Sequence, residues 1–192
     1  MFAVDNIVRH RTRPATDRNI TDMAQTHTYE LSLVWTGNAG TGTAQYRGYQ
    51  RDHVVRAPGK PDLLGSSDAA FRGDGARWNP EELLVAALSA CHQLVYLHQA
   101  ALAGVVVTAY TDKALGEMVE DHDSGQFLRV LLQPTVTVTA ASMVDTAQQL
   151  HAIAHDKCFI ANSVNFPVHH DARVIVEGPE TLPGPDGSNS HV

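Results

Sequence analysis

The chain has 192 residues and a net charge of -7, from 14 basic and 21 acidic side chains, with only two cysteines. Its length suits one domain whose core needs no covalent staples. The acidic balance argues against general nucleic-acid or anionic-membrane binding, and the cysteine count against a secreted disulfide scaffold. The expected setting is a reducing cytosol, with no signal-peptide pattern near the N-terminus. Residues 1–25 read as a disordered extension in which Met23 stands as an alternative start, 26–179 as the folded unit, and 180–192 as a loose Pro/Gly/Ser tail.

Tyr29 to Trp35 alternates apolar and polar residues as a strand does. The glycines Gly37, Gly40 and Gly42 then mark a turn, and Thr43 to Tyr49 reads as the returning strand. Arg51 to Val55 is expected to add a third. Leu63 to Arg77, rich in Gly, Ser and Asp, is expected to be a long surface loop. No Gly-Lys-Ser/Thr follows the glycine run, which therefore carries no nucleotide signature.

A long helix begins with unusual clarity. Asn79 is its N-cap, Pro80 its first residue, and Glu82 the third, placed to reach back in a capping box. Trp78 and Leu83 occupy the positions of a hydrophobic staple, and Gly104 stops the helix about 36 Å later. Leu83 to Ala103 lacks Asp, Glu, Lys and Arg and is long enough to raise the membrane question. Ser89, His92, Gln93, His98 and Gln99 interrupt it, so a buried helix covered on most sides is expected instead. Val105 to Leu115 and Phe127 to Thr139 read as two long strands, with Pro134 signalling an edge or a bulge. An amphipathic helix over Ser142 to Asp156, a short helix starting at Cys158, and a strand over Ala172 to Val176 complete an α+β order.

Cys91 lies inside the apolar helix, where the default role of a thiol is that of a small core residue. If it reacts, a cation must come from elsewhere in the fold, because the positive helix end is distant. Cys158 follows Lys157 at an apparent helix start, a setting that favours thiolate. A peroxide-oxidised thiol needs a resolving partner, so the pair invites redox chemistry. Glu81 and Glu82 have an adequate role as first-turn acids. Ten residues of helix place Glu81 about 15 Å from Cys91, so the two can share a site only if two copies of this helix pack antiparallel. His151 and His155 are spaced i and i+4 as zinc ligands can be, although a structural role is expected.

Asn79-Pro-Glu-Glu-Leu-Leu-Val-Ala-Ala-Leu-Ser-Ala-Cys91 resembles the signature of the OsmC/Ohr family of thiol peroxidases, and Ala154-His-Asp-Lys-Cys158-Phe-Ile-Ala-Asn-Ser163 resembles its second-cysteine motif. The resemblance spans most of Thr26 to Val176. It implies an OsmC-like intertwined homodimer with long central helices between antiparallel sheets and two sites at the subunit interface. It also implies a peroxidatic Cys91, a resolving Cys158, and an organic hydroperoxide substrate. Glu81 would pair with an arginine, for which Arg72 is the candidate and Arg51 and Arg77 the alternatives. No cofactor or metal is implied, and the reductant would be a dithiol such as a lipoylated protein. Phe159 departs from the proline that commonly follows the second cysteine. The rival expectations are a dimer binding an apolar ligand in its interface cleft, a thiol enzyme of another kind, and a metal module built on Cys91, Cys158, His92 and His155.

Overall fold

The computed structural model describes residues 25–122 and 124–178. The expected N-terminal extension, the Met23 start and the C-terminal tail lie outside the described residues. Nine strands and two α-helices follow in the order β1 (Ser32–Trp35), β2 (His53–Arg56), β3 (Leu63–Gly65), α1 (Pro80–Leu102), β4 (Val107–Asp112), β5 (Leu115–Asp121), β6 (Ser124–Leu132), β7 (Pro134–Val138), α2 (Val144–Lys157), β8 (Val168–His170) and β9 (Arg173–Val176). They form three three-stranded sheets, ordered β1-β2-β3, β4-β7-β9 and β5-β6-β8. In the last two, the terminal strand joins in parallel to an antiparallel pair. The architecture is the expected α+β.

Helix α1 starts where its sequence dictates. Asn79 Oδ1 accepts from Glu82 N at 2.7 Å, and Glu82 Oε2 accepts from Asn79 N at 3.2 Å, which completes the capping box. At the other end Gly104 takes φ of 70°, a left-handed conformation that glycine adopts without a Cβ clash. The C-terminal half of α1 packs on α2 and β7 through Tyr96, Ala100, Val136, Val138, Ala147, Leu150 and Ala154. Its N-terminal half packs through Leu88 on Val130, Leu132 and Val168 of the β5-β6-β8 sheet. The described residues cover only one side of it: Leu94 is 67% and Leu102 72% exposed.

Four strands stand where two were expected after α1. The ribbon breaks on both sides at one level, at Lys113-Ala114 and at Gln133, so that β4 and β7 join one sheet while β5 and β6 join another. Asp112 holds the break. Its Oδ1 accepts from Gln133 N at 2.7 Å, and its Oδ2 accepts from Ser89 Oγ of α1 at 2.6 Å. Pro134 opens β7 at the break, where its missing N–H costs no ladder bond.

The sheet β1-β2-β3 corrects a further expectation. Thr43 to Tyr49 is a series of turns rather than a returning strand. The Arg51 guanidinium donates to the carbonyls of Tyr49 at 2.6 Å and Tyr46 at 3.0 Å and lies over both rings, which folds the segment onto itself. Asn38 Oδ1 accepts from Gly40 N and Gly42 N, both at 2.9 Å, tightening the glycine turn. The strands are also shorter and displaced: β1 starts at Ser32, β2 is shifted to His53–Arg56, and Leu63–Gly65 forms β3 at the head of the expected loop. Buried Ser66 ties that loop back, donating to Asp52 Oδ1 at 3.0 Å and accepting from Asp74 N at 3.1 Å.

Candidate active site

Cys91 lies on α1 and Cys158 caps the end of α2. The packing of the two helices brings the thiols near enough for Cys91 to raise the Cys158 pKa. Cys158 is buried and Cys91 half-buried, and both are reduced. Burial, and then the neighbouring Cys91 thiol, pushes the Cys158 thiol up to about 11, although Ala161 N donates to its Sγ at 3.4 Å. This reverses the sequence expectation. Cys158 sits at the carbonyl end of α2, where its N–H donates to His155 O at 3.2 Å, and the short helix expected to start at it begins only at Ala161, as a 3-10 turn over Ala161–Ser163. The negative helix end and the apolar surroundings outweigh neighbouring Lys157, whose Nζ donates to Gln99 Oε1 at 3.2 Å.

Glu81 stands on the first turn of α1. It lines a cavity of about 460 Å³ with Trp78, Val85, Ser89, Met118 and Phe127. Its Oε2 is screened from solvent and has no partner among the described residues. The two cysteines do not line this cavity, in keeping with the spacing along the helix. One protomer therefore does not bring Glu81 to Cys91.

The arginines lie apart from both. Arg72 takes a left-handed φ of 68° after a 3-10 turn, is exposed, and places its guanidinium 5.8 Å from the Tyr46 ring centre. With Arg47 and Arg51 it lines a separate cavity of about 400 Å³. Arg51 is engaged by the Tyr46 and Tyr49 carbonyls. Arg77 pairs with Asp52 at 3.4 Å and Asp74 at 3.3 Å. Of the three, Arg72 has the fewest ties among the described residues.

A cluster that sequence spacing only half disclosed lies beside the thiols. His92 of α1 and His151 of α2 are both buried, with His92 Nε2 3.1 Å from His151 Nδ1. His170, and through it His155, completes a row of rings with centres 5.4 to 6.0 Å apart. The i, i+4 spacing of His151 and His155 was visible and His92 entered the rival metal module, but the contact of His92 with His151 and the place of His170 beside them were not foreseen. Among the described residues no group of three or more His, Cys, Asp or Glu side chains is arranged to hold a metal ion.

No curated protein matches the chain. Among solved structures it is similar to an OsmC-like protein of unknown function from Vibrio cholerae, at 29% identity and a TM-score of 0.70, over 77% of this chain and 99% of that one. It shares its fold with an organic hydroperoxide resistance protein from Elizabethkingia anophelis, at 17% identity and a TM-score of 0.58 over 81% and 100% of the two chains. A Legionella pneumophila structure described as an organic hydroperoxide resistance protein OsmC is similar at 18% identity and 0.55, over 79% and 98%. The sequence model for OsmC-like proteins matches residues 73–173, which include both cysteines, Glu81 and the four clustered histidines. The chain belongs to the OsmC-like protein family.

Proposed function

We propose that the protein is a cytosolic thiol peroxidase for organic hydroperoxides. The observation that carries this reading is the convergence of Cys91 and Cys158, delivered by two different helices to positions where one thiol shifts the ionisation of the other. Family membership and the hydroperoxide resistance proteins among its structural neighbours support the same chemistry. In the proposed cycle the Cys91 thiolate attacks the terminal peroxide oxygen, the O–O bond breaks, and the alkoxide leaves as the alcohol. The Cys158 thiol then attacks the sulfur of the Cys91 sulfenic acid, and its proton departs with the hydroxyl as water. An external dithiol, a lipoylated protein being the candidate class, regenerates both thiols by exchange.

The cation that this chemistry needs is supplied, in the proposal, by a second copy of the chain. The unpartnered, screened Glu81 oxygen is a natural seat for a guanidinium, with Arg72 the candidate and Arg51 and Arg77 the alternatives. An antiparallel pair of α1 helices would carry Glu81 of one copy toward Cys91 of the other, and the apolar walls Val85, Met118 and Phe127 would receive an alkyl substrate. That cavity also favours the second reading, a dimer that binds an apolar ligand without chemistry at the thiols.

One equivalent of cumene hydroperoxide added to fully reduced protein, followed by peptide mapping without reductant, separates the two. A rapidly formed Cys91–Cys158 disulfide is expected. Two intact thiols would leave the ligand-binding reading in its place. Cys91→Ser should lose turnover by several orders of magnitude, whereas Cys158→Ser should consume one equivalent of peroxide and stall.

A further inference from the structure

The His92–His151 contact has a hydrogen-bond balance that no neighbouring protein group completes. In the neutral pair one ring donates and the other accepts across the 3.1 Å gap. The outer nitrogens, His92 Nδ1 and His151 Nε2, must then be one acceptor and one donor. Both are screened from solvent and unpartnered among the described residues, on side chains 1% and 0% exposed. The bond needs one lone pair between the rings. A pair that holds two protons more than the neutral state has only N–H groups facing each other, so the bond is lost and two like charges remain in the core.

The position of this pair gives the loss a consequence. It spans the α1–α2 seam on the same helices that carry the thiols: His92 follows Cys91 directly, and His151 lies two turns before Cys158. Tyr96 of α1 stacks on the His151 ring at 4.1 Å between centres, and its hydroxyl donates to Ala147 O at 3.1 Å, so the seam is closely fitted there. From α2, His155 approaches His170, whose ring in turn lies 5.6 Å from His92 and 6.0 Å from His151. The charged and titratable groups that face the cluster are few. Asp112 of β4 favours charge on His92, and Asp156 and Asp171 favour it on His170, while His155 and His169 oppose it. Tyr110 of β4 lies behind Tyr96, 5.8 Å between ring centres. No carboxylate bonds the His92–His151 pair itself among the described residues, so a charge placed on it is offset only by Asp112 acting on His92 without a hydrogen bond. His170 and His155 are half-buried, so the cluster reaches from the interior pair toward solvent.

We propose that the His92–His151 hydrogen bond is a proton-operated latch: while neutral it holds α1 and α2 in register and keeps Cys158 covered against Cys91, and on protonation of the cluster it opens that seam. This inference concerns the accessibility of the thiols and does not depend on what oxidises them. His92 and His151 act as positioning residues, through the helices rather than through any reacting atom.

The test is a brief pulse of 4,4′-dithiodipyridine, a reagent that labels thiols in acid as well as at neutral pH, on the reduced protein between pH 7 and 4. Labelling of Cys158 is read by mass spectrometry and divided by its rate in the urea-denatured chain, which removes the thiol's own ionisation. In the native sequence the protection of Cys158 should fall more than tenfold between pH 6.5 and 4, with helical circular dichroism retained. The double variant His92→Gln/His151→Asn can rebuild a hydrogen bond from one side-chain amide N–H to the other's carbonyl oxygen without a titrating ring, and its protection should vary less than twofold over that range. His151→Phe, which removes the bond, should show low protection already at pH 7. Constant protection of the native protein would overturn the latch. So would an equal acid-induced fall in the double variant, or a fall that merely follows loss of helix.

Discussion

Burial keeps His92 and His151 neutral, lowering them to about 4 and about 3 from an ordinary 6.5. Both rings bind protons more weakly folded than unfolded, so the stability they lend is complete above pH 6.5 and is lost as the pH falls toward 4. Each adds about 1.4 kcal/mol per pH unit to that loss within the window. Urea melts between pH 7 and 4.5 should show a steep decline that His92→Gln/His151→Asn flattens; a native slope no steeper than the variant's would refute the assignment. Arg51 shows why side-chain chemistry escaped the sequence. Thr43 to Tyr49 carries real strand alternation, but one guanidinium inserted between Tyr46 and Tyr49 captures the carbonyls that a strand would have paired. The acidity expected of Cys158 failed for a related reason. The end of α2 was legible to within a residue, but the burial that raises this thiol comes from tertiary packing.

Elements with local instructions were the legible ones. Asn79, Pro80, Glu82 and Gly104 specify α1 to within a residue, because caps act through neighbours in the chain. Replacing Asn79 by Ala removes the bond to Glu82 N and also the 3.4 Å contact from Asn79 Nδ2 to Asp68 Oδ2. Equilibrium denaturation should record a loss of about 1 to 2 kcal/mol; an unchanged midpoint would mean that the first turn is held by tertiary contacts alone. Strand β8 was not foreseen. It is three residues long and exists by pairing in parallel with β6, a partner that no local pattern announces. The break of the long ribbon was equally hidden, since it depends on the Asp112 carboxylate bridging Ser89 and Gln133. The distance of Glu81 from Cys91, by contrast, followed from helix rise alone.

At the scale of the molecule, the β1-β2-β3 sheet presents Leu33 at 59% and Trp35 at 39% exposure, Leu31 just before it is 64% exposed, and α1 leaves Leu94 and Leu102 open. Apolar area of this kind is normally covered, and the family resemblance supplies the expected cover, a second copy. Sedimentation should therefore report twice the chain mass, with Leu33→Asp shifting it toward the monomer; a monomeric native chain would remove the shared-site proposal and leave the Cys91–Cys158 pair unaffected. The broken ribbon has a different kind of consequence. Val130, Leu132, Pro134, Val136 and Val138 are all buried, so the inward phase runs unbroken through the switch from one sheet to the other at Gln133. Two cores are thus written on a single even-numbered series. Losing or gaining one residue at Gln133 would turn Thr135 and Thr137 inward and their valine neighbours outward, whereas a two-residue change would preserve the phase. A single-residue insertion or deletion at Gln133 should therefore cost this chain both cores, and a two-residue change neither.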